Sequence, residues 1–185
     1  PIEQRTENGS TICTVTLKPY ESTTIVFSDD KKGDFVHRKL ISRKDISSSW
    51  KFSFAKSKEY PSFHDEKMLE ELKPVSEIYP YFSGITKYEK NFELDTLSGQ
   101  ILLGIEEVFE NAKVWVNNEL VDLRLCPPYQ FDLTDGCKVG MNALVIEVAN
   151  TPARENQMID NIFGAERIIL EPNGMFGEVW IDQYK

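Results

Sequence analysis

Two histidines, a glutamate cluster and three cysteines are the side chains able to act as bases, acids or nucleophiles. His37 and His64 stand in polar, loop-like settings with no nucleophile pattern around them, so each reads as a surface residue and not a base. Glu106 and Glu107 are the adjacent glutamate pair that runs into an apolar stretch, with Glu110 just beyond. Two carboxyls at a suitable separation could cleave a glycosidic bond, but the simpler reading here is a solvated loop. Cys13, Cys126 and Cys137 make an odd count without metal-ligand spacing. They read as small buried fillers, with a Cys126–Cys137 bridge left open, and they lean towards a reducing compartment. No phosphate-cradling glycine loop, serine nucleophile elbow or paired-histidine helix is present.

The elements that would position such groups are strands. Thr11–Leu17 alternates, Lys18-Pro19-Tyr20-Glu21 turns, and Ser22–Phe27 is β-branched, which predicts a hairpin. Asn8-Gly9-Ser10 matches a glycosylation sequon, a three-residue pattern that arises by chance. The polar run Ser28–Asp34 is the best boundary. Further strands are predicted at Trp50–Phe54, Thr86–Leu94, Gln100–Leu103, Ala112–Val116, Tyr129–Leu133, Ala143–Ala149, Arg167–Leu170 and Glu178–Ile181. His64–Leu72, with Met68, Leu69 and Leu72 on one side and Pro74 behind them, predicts the one helix. Many short strands separated by Gly, Pro and Asn clusters predict an all-β sandwich.

Strand phase adds direction. Ala112, Val114 and Val116 share a face, which turns Trp115 the other way; Val179 and Ile181 likewise turn Trp180 outward beside Glu178 and Asp182. Tryptophans on the outer face predict cover by a loop or another domain, or sugar stacking. With 30 acidic against 21 basic residues the net charge is −9, which disfavours nucleic acid and anionic membrane surfaces as partners. No apolar run reaches the ~18 residues that a spanning helix needs. The chain starts at Pro1 without a Met, and the expectation is a piece of a longer protein.

Five ordered blocks carry a family resemblance. They are Tyr81–Phe92, Leu103-Gly104 with Ala112–Asn118, Pro127–Thr134, Val139–Thr151 and Pro172–Val179. Over residues 46–185 they resemble the galactose-binding-like jelly-roll domain of family 2 glycoside hydrolases, and more closely the C-terminal domain of family 106 rhamnosidase-like proteins. Asn118 stands where that pattern has Gly, and Asn is the other residue that tolerates positive φ in a tight turn.

The resemblance implies a galactose-binding-like β-sandwich over 46–185; outside it, residues 1–28 read as the last hairpin of an upstream domain and 29–45 as a linker. It implies carbohydrate as ligand and the catalytic domain of the same parent chain as partner, and it admits a structural calcium whose ligands the sequence does not mark. No cofactor is required. Sugar would meet loops at one end of the sandwich, where the candidate substrate-binding residues are Tyr79, Tyr81, Asn117, Arg124, Tyr129, Asn150, Arg154 and Asn156. The polar stretch Asn150–Phe163 reads as a functional loop or as solvated surface. The resulting expectation is a non-catalytic accessory domain of a glycoside hydrolase. An autonomous carbohydrate-binding module and a catalytic β-sandwich remain the alternatives.

Overall fold

The computed structural model describes residues 3–17, 19–27, 38–97, 99–156 and 171–185. Its strands in chain order are β1 (Gln4–Glu7), β2 (Ser10–Cys13), β3 (Leu40–Asp45), β4 (Trp50–Ala55), β5 (His64–Leu69), β6 (Ile85–Leu94), β7 (Gln100–Phe109), β8 (Asn111–Val116), β9 (Glu119–Arg124), β10 (Tyr129–Asp132), β11 (Gly140–Ala149) and β12 (Gly174–Tyr184). Among the described residues a 3-10 turn spans Val75–Glu77 and a short α-helix, α1, spans Ala153–Asn156. The chain is all-β, with two antiparallel sheets packed as a sandwich. One is four-stranded, ordered β10-β7-β12-β3, and the other six-stranded, ordered β5-β4-β6-β11-β8-β9.

Alternation explains the layers. Ile101, Leu103 and Ile105 of β7, Val179 and Ile181 of β12 and Phe131 of β10 face inward from the smaller sheet. Trp50, Phe52, Tyr88, Val114, Leu144 and Ile146 meet them from the larger one. Each of these side chains is essentially removed from water, contributing roughly 1.5–3 kcal/mol apiece through apolar burial. Some polar atoms that enter this core are paired, whereas the buried Ser53 hydroxyl and the Asn173 amide find no hydrogen-bond partner among the described residues. Trp50 Nε1 donates to Ile46 O at 2.8 Å, and the Met175 N–H donates to the Tyr88 hydroxyl at 3.1 Å.

Several expectations change. His64–Leu72 is no helix: His64–Leu69 is β5, pairing antiparallel with β4 from Trp50↔Leu69 to Phe54↔His64. A nine-residue helix is marginal on its own, whereas the strand satisfies the backbone edge that β4 exposes. The N-terminal hairpin lies earlier than expected. It turns at Asn8 (φ 49°) and Gly9 (φ 80°) between β1 and β2, while the described residues of Thr14–Phe27 form no ladder. Asn-Gly is the strongest two-residue hairpin signal, and it outweighs the β-branched composition of Ser22–Phe27. Glu106 and Glu107 sit within β7 and not in a loop, because that strand runs on to Phe109 against β12. The cysteines are free, Cys126 is exposed, and Cys13 and Cys137 are half-buried, so the buried-filler reading fails for Cys126. Leu40–Asp45, at the end of the stretch read as linker, is β3, paired with β12. The predicted Arg167–Leu170 strand, the Ser28–Asp34 boundary and His37 lie outside the described residues.

Candidate functional site

The outer face of the four-stranded sheet carries an open groove of about 800 Å³. Its floor is β7 from Gly104 to Phe109, with Trp180 from the neighbouring β12. One wall is Cys126–Gln130, leading into β10, and Pro19 and Tyr20 of the N-terminal segment line another side. The groove is mainly apolar, and the carboxylates of Glu106, Glu107 and Glu110 and the Gln130 amide add the polar groups. That combination suits a ligand with an apolar face and hydroxyls along its edge.

Trp180 is fixed from two sides. On one side it lies against Gly104, where a Cβ would come within 2.2 Å of its Cε2 atom. On the other, the Arg43 guanidinium sits 4.9 Å from the ring centroid. Asp182 ties this arrangement together, and its side chain is only 2% exposed although it belongs to the outer face. Its oxygens accept Arg43 Nε and Nη2, both at 2.7 Å, Trp180 Nε1 at 3.1 Å and the Tyr184 hydroxyl at 3.4 Å. Burial pushes the Asp182 carboxyl up, but the hydrogen bonds and positive charge of Arg43 outweigh that and hold it below the ordinary range. Opposite them, the Tyr129 hydroxyl donates to Glu110 O at 2.6 Å, and burial, with Cys126, Glu107 and Glu110 nearby, raises its pKa. Glu106 is committed to structure: its Oε2 accepts the Glu178 N–H at 2.8 Å across the irregularity in β12 where Gly177 has φ 78°. Phe109 and Phe176 stack at 5.7 Å at the end of the groove. Glu107, Glu110 and Gln130 are left as the groups facing a ligand.

The sequence-derived candidates divide. Tyr129 lines this groove. Asn150 sits at the end of the sandwich to which Tyr129 also belongs, but it clamps a turn, accepting the Gly84 N–H at 2.7 Å and donating to Phe82 O at 3.0 Å. Arg154, 8% exposed, donates to Pro80 O at 3.2 Å and to Glu171 O, and burial lowers its pKa. Tyr79 packs on Phe54 at 4.9 Å beneath Lys67, whereas Tyr81 beside it is 57% exposed. Asn156 ends α1. Arg124 pairs with Asp122 at 3.0 Å on the outermost strand β9. Asn117 lies at the opposite end of the sandwich, where it takes a positive-φ turn position (51°) and bonds Gly136 O, Asn142 Oδ1 and the Ala143 N–H. Sequence reasoning missed the assembly of Gly104, Glu107, Gln130 and Trp180. The signal was there in the outward phase of Trp180 and in a glycine on the neighbouring strand. Among the described residues no three His, Cys, Asp or Glu side chains converge as a cation-binding group, so no calcium ligand is assigned.

No family model and no curated protein matches the chain. Solved structures do. The chain is similar to part of a rhamnosidase from Novosphingobium sp. PP1Y, with a TM-score of 0.72 and 23% identity over 99% of this chain and 19% of that one. It is also similar to part of an FMN-binding β-glucuronidase from Facaelibacterium prausnitzii L2-6, with a TM-score of 0.56 and 18% identity over 78% of this chain and 22% of that one. A family 2 β-galacturonidase from Eisenbergiella tayi gives a TM-score of 0.53 and 18% identity over 80% of this chain and 25% of that one. At these identities the likeness is one of fold. The chain spans about a fifth to a quarter of each of these glycoside hydrolase chains.

Proposed function

We propose that this chain is a non-catalytic, galactose-binding-like accessory domain of a larger glycoside hydrolase, and that it engages carbohydrate in the groove beside Tyr129 and Trp180. The accessory role rests on one observation: 99% of the chain superposes on 19% of a rhamnosidase, so the likeness accounts for nearly all of this fold and little of that enzyme. The apolar side chains left in water along the N-terminal segment, Val26 at 79% and Phe27 at 76% exposed, support packing against the rest of such a parent. Carbohydrate suits the groove because the apolar floor can take the face of a pyranose while Glu107, Glu110 and Gln130 accept or donate to its hydroxyls. The same carboxylates, in a chain of net charge −9, favour a neutral sugar over a uronic acid.

The test is a tryptophan-fluorescence titration of the 185-residue chain with L-rhamnose and with D-glucuronate, run beside hydrolysis assays on aryl glycosides. Saturable quenching by rhamnose alone, lost in Trp180→Ala and kept in Trp115→Ala, is the expected result. Absence of quenching by either sugar removes the carbohydrate site and leaves the accessory role. Turnover of an aryl glycoside that disappears in Glu107→Gln overturns the accessory role itself.

A further inference from the structure

The six-stranded sheet ends on β9, and no further strand pairs with its free edge among the described residues. Leu120 and Leu123 on this edge are 57% and 47% exposed. They stand three positions apart, which in a regular strand would put them on opposite faces. The register shift of β9 against β8 brings them to the same one: Leu120 pairs with Trp115 and Leu123 with Lys113, two residues on the outer face. The two-residue Asn117–Asn118 turn makes Val116 and Glu119 a hydrogen-bonded pair. Alternation along the ladder then points the main-chain groups of Leu120 and Leu123 away from β8. In accord with this, the Leu123 N–H is taken up locally by Asp122 Oδ1 at 2.8 Å.

We propose that this edge is a self-association surface, on which a second copy of the chain adds its own β9 antiparallel about a twofold axis between Val121 and Asp122. Glu119-Leu120-Val121-Asp122-Leu123-Arg124 is self-complementary in that register. Glu119 faces Arg124 of the second copy, Leu120 faces Leu123, and symmetry repeats each contact. The main-chain groups that point outward are those of the two leucines that this register sets opposite one another. Trp115 beside Leu120 extends the apolar strip on the outer face. A slip of one residue would set Asp122 against its own copy, or Leu120 against Asp122, so charge and apolar pattern both select the one register. The surface is independent of the groove and of the glycoside hydrolase reading.

Sedimentation velocity on the 185-residue chain over a concentration series tests it. The expected result is a monomer–dimer equilibrium that Leu120→Lys abolishes and that Glu119→Arg or Arg124→Glu each weakens by roughly tenfold. The double variant Glu119→Arg/Arg124→Glu restores it, because each reversed charge again meets its opposite across the axis. Thermal melts matching the parent chain show that the variants are folded. In the unaltered chain, amide exchange at Leu120 and Leu123 slows as concentration rises. A chain that stays monomeric throughout, or a dimer that the single reversals leave intact, overturns the proposal. So does stable capture of the β9 edge by an unrelated strand peptide with no association between copies.

Discussion

The indole of Trp180 rests on Gly104, its partner across the β7–β12 ladder, so closely that a methyl group on Gly104 would lie 2.2 Å from Cε2 and 2.4 Å from Cζ2. A bare backbone at this one register position lets a large ring lie against the outer face of a sheet. Both residues line the groove.

Gly104→Ala is therefore expected to displace the ring and to cost about 1–3 kcal/mol, the usual range for overpacking a close contact. Urea unfolding gives the stability change. A red-shifted tryptophan emission reports the lost seat.

Asp182 gives a pH signature. Its carboxyl titrates below the ordinary range in the fold, so the unfolded chain takes up the proton first as pH falls. Its contribution is then complete above the ordinary carboxylate pKa, declines as the pH drops below it, and is gone below the folded value. Urea midpoints measured from neutral to strongly acidic pH should fall less steeply in Asp182→Asn than in the parent chain. An equal slope in the two proteins would remove Asp182 from this role.

Tyr88 acts at the alkaline end. Burial raises its phenol from the ordinary 10.0 to about 12, with the Met175 N–H and Thr86 opposing that rise. Because the unfolded chain loses this proton first, the contribution is present below pH ~10 and is lost as the pH rises towards the folded value. Tyr88→Phe should flatten the alkaline arm of the stability profile. At neutral pH it should cost about 1–3 kcal/mol, since the Met175 N–H is left without its acceptor.

Asn150 separates scaffold from site. Asn150→Ala breaks both hydrogen bonds of the clamp on Phe82 and Gly84, and the expected loss is about 1–3 kcal/mol in thermal or urea unfolding. Sugar affinity in the groove should stay unchanged. A change in affinity without a change in stability would return Asn150 to the ligand site.

Much of the architecture was legible because burial writes itself into the chain with a period of two. The outward phase of Trp115 and Trp180, the tight Asn117–Asn118 turn and most of the strands of the sandwich follow from that alternation and from turn chemistry. The β5 strand was not legible. Met68, Leu69 and Leu72 satisfy a helical spacing, and only the unpaired edge of β4 decides for a strand. The same limit applies to Asn117, Asn150 and Arg154. A planar polar side chain in a loop looks the same in sequence whether it meets a ligand or a carbonyl, and here backbone groups far along the chain claim all three.

The all-β class, the apolar faces and the acidic character are each a property of composition or local periodicity, so the order of residues along the chain suffices for them. Tertiary structure alone decided where the groove lies, since Gly104, Gln130 and Trp180 become neighbours only when β7, β10 and β12 pair. It also decided that Asp182, on an outward-facing position, would be buried. That burial requires Arg43, from a segment 139 residues away in the chain, to close over it, and no local pattern encodes such an approach.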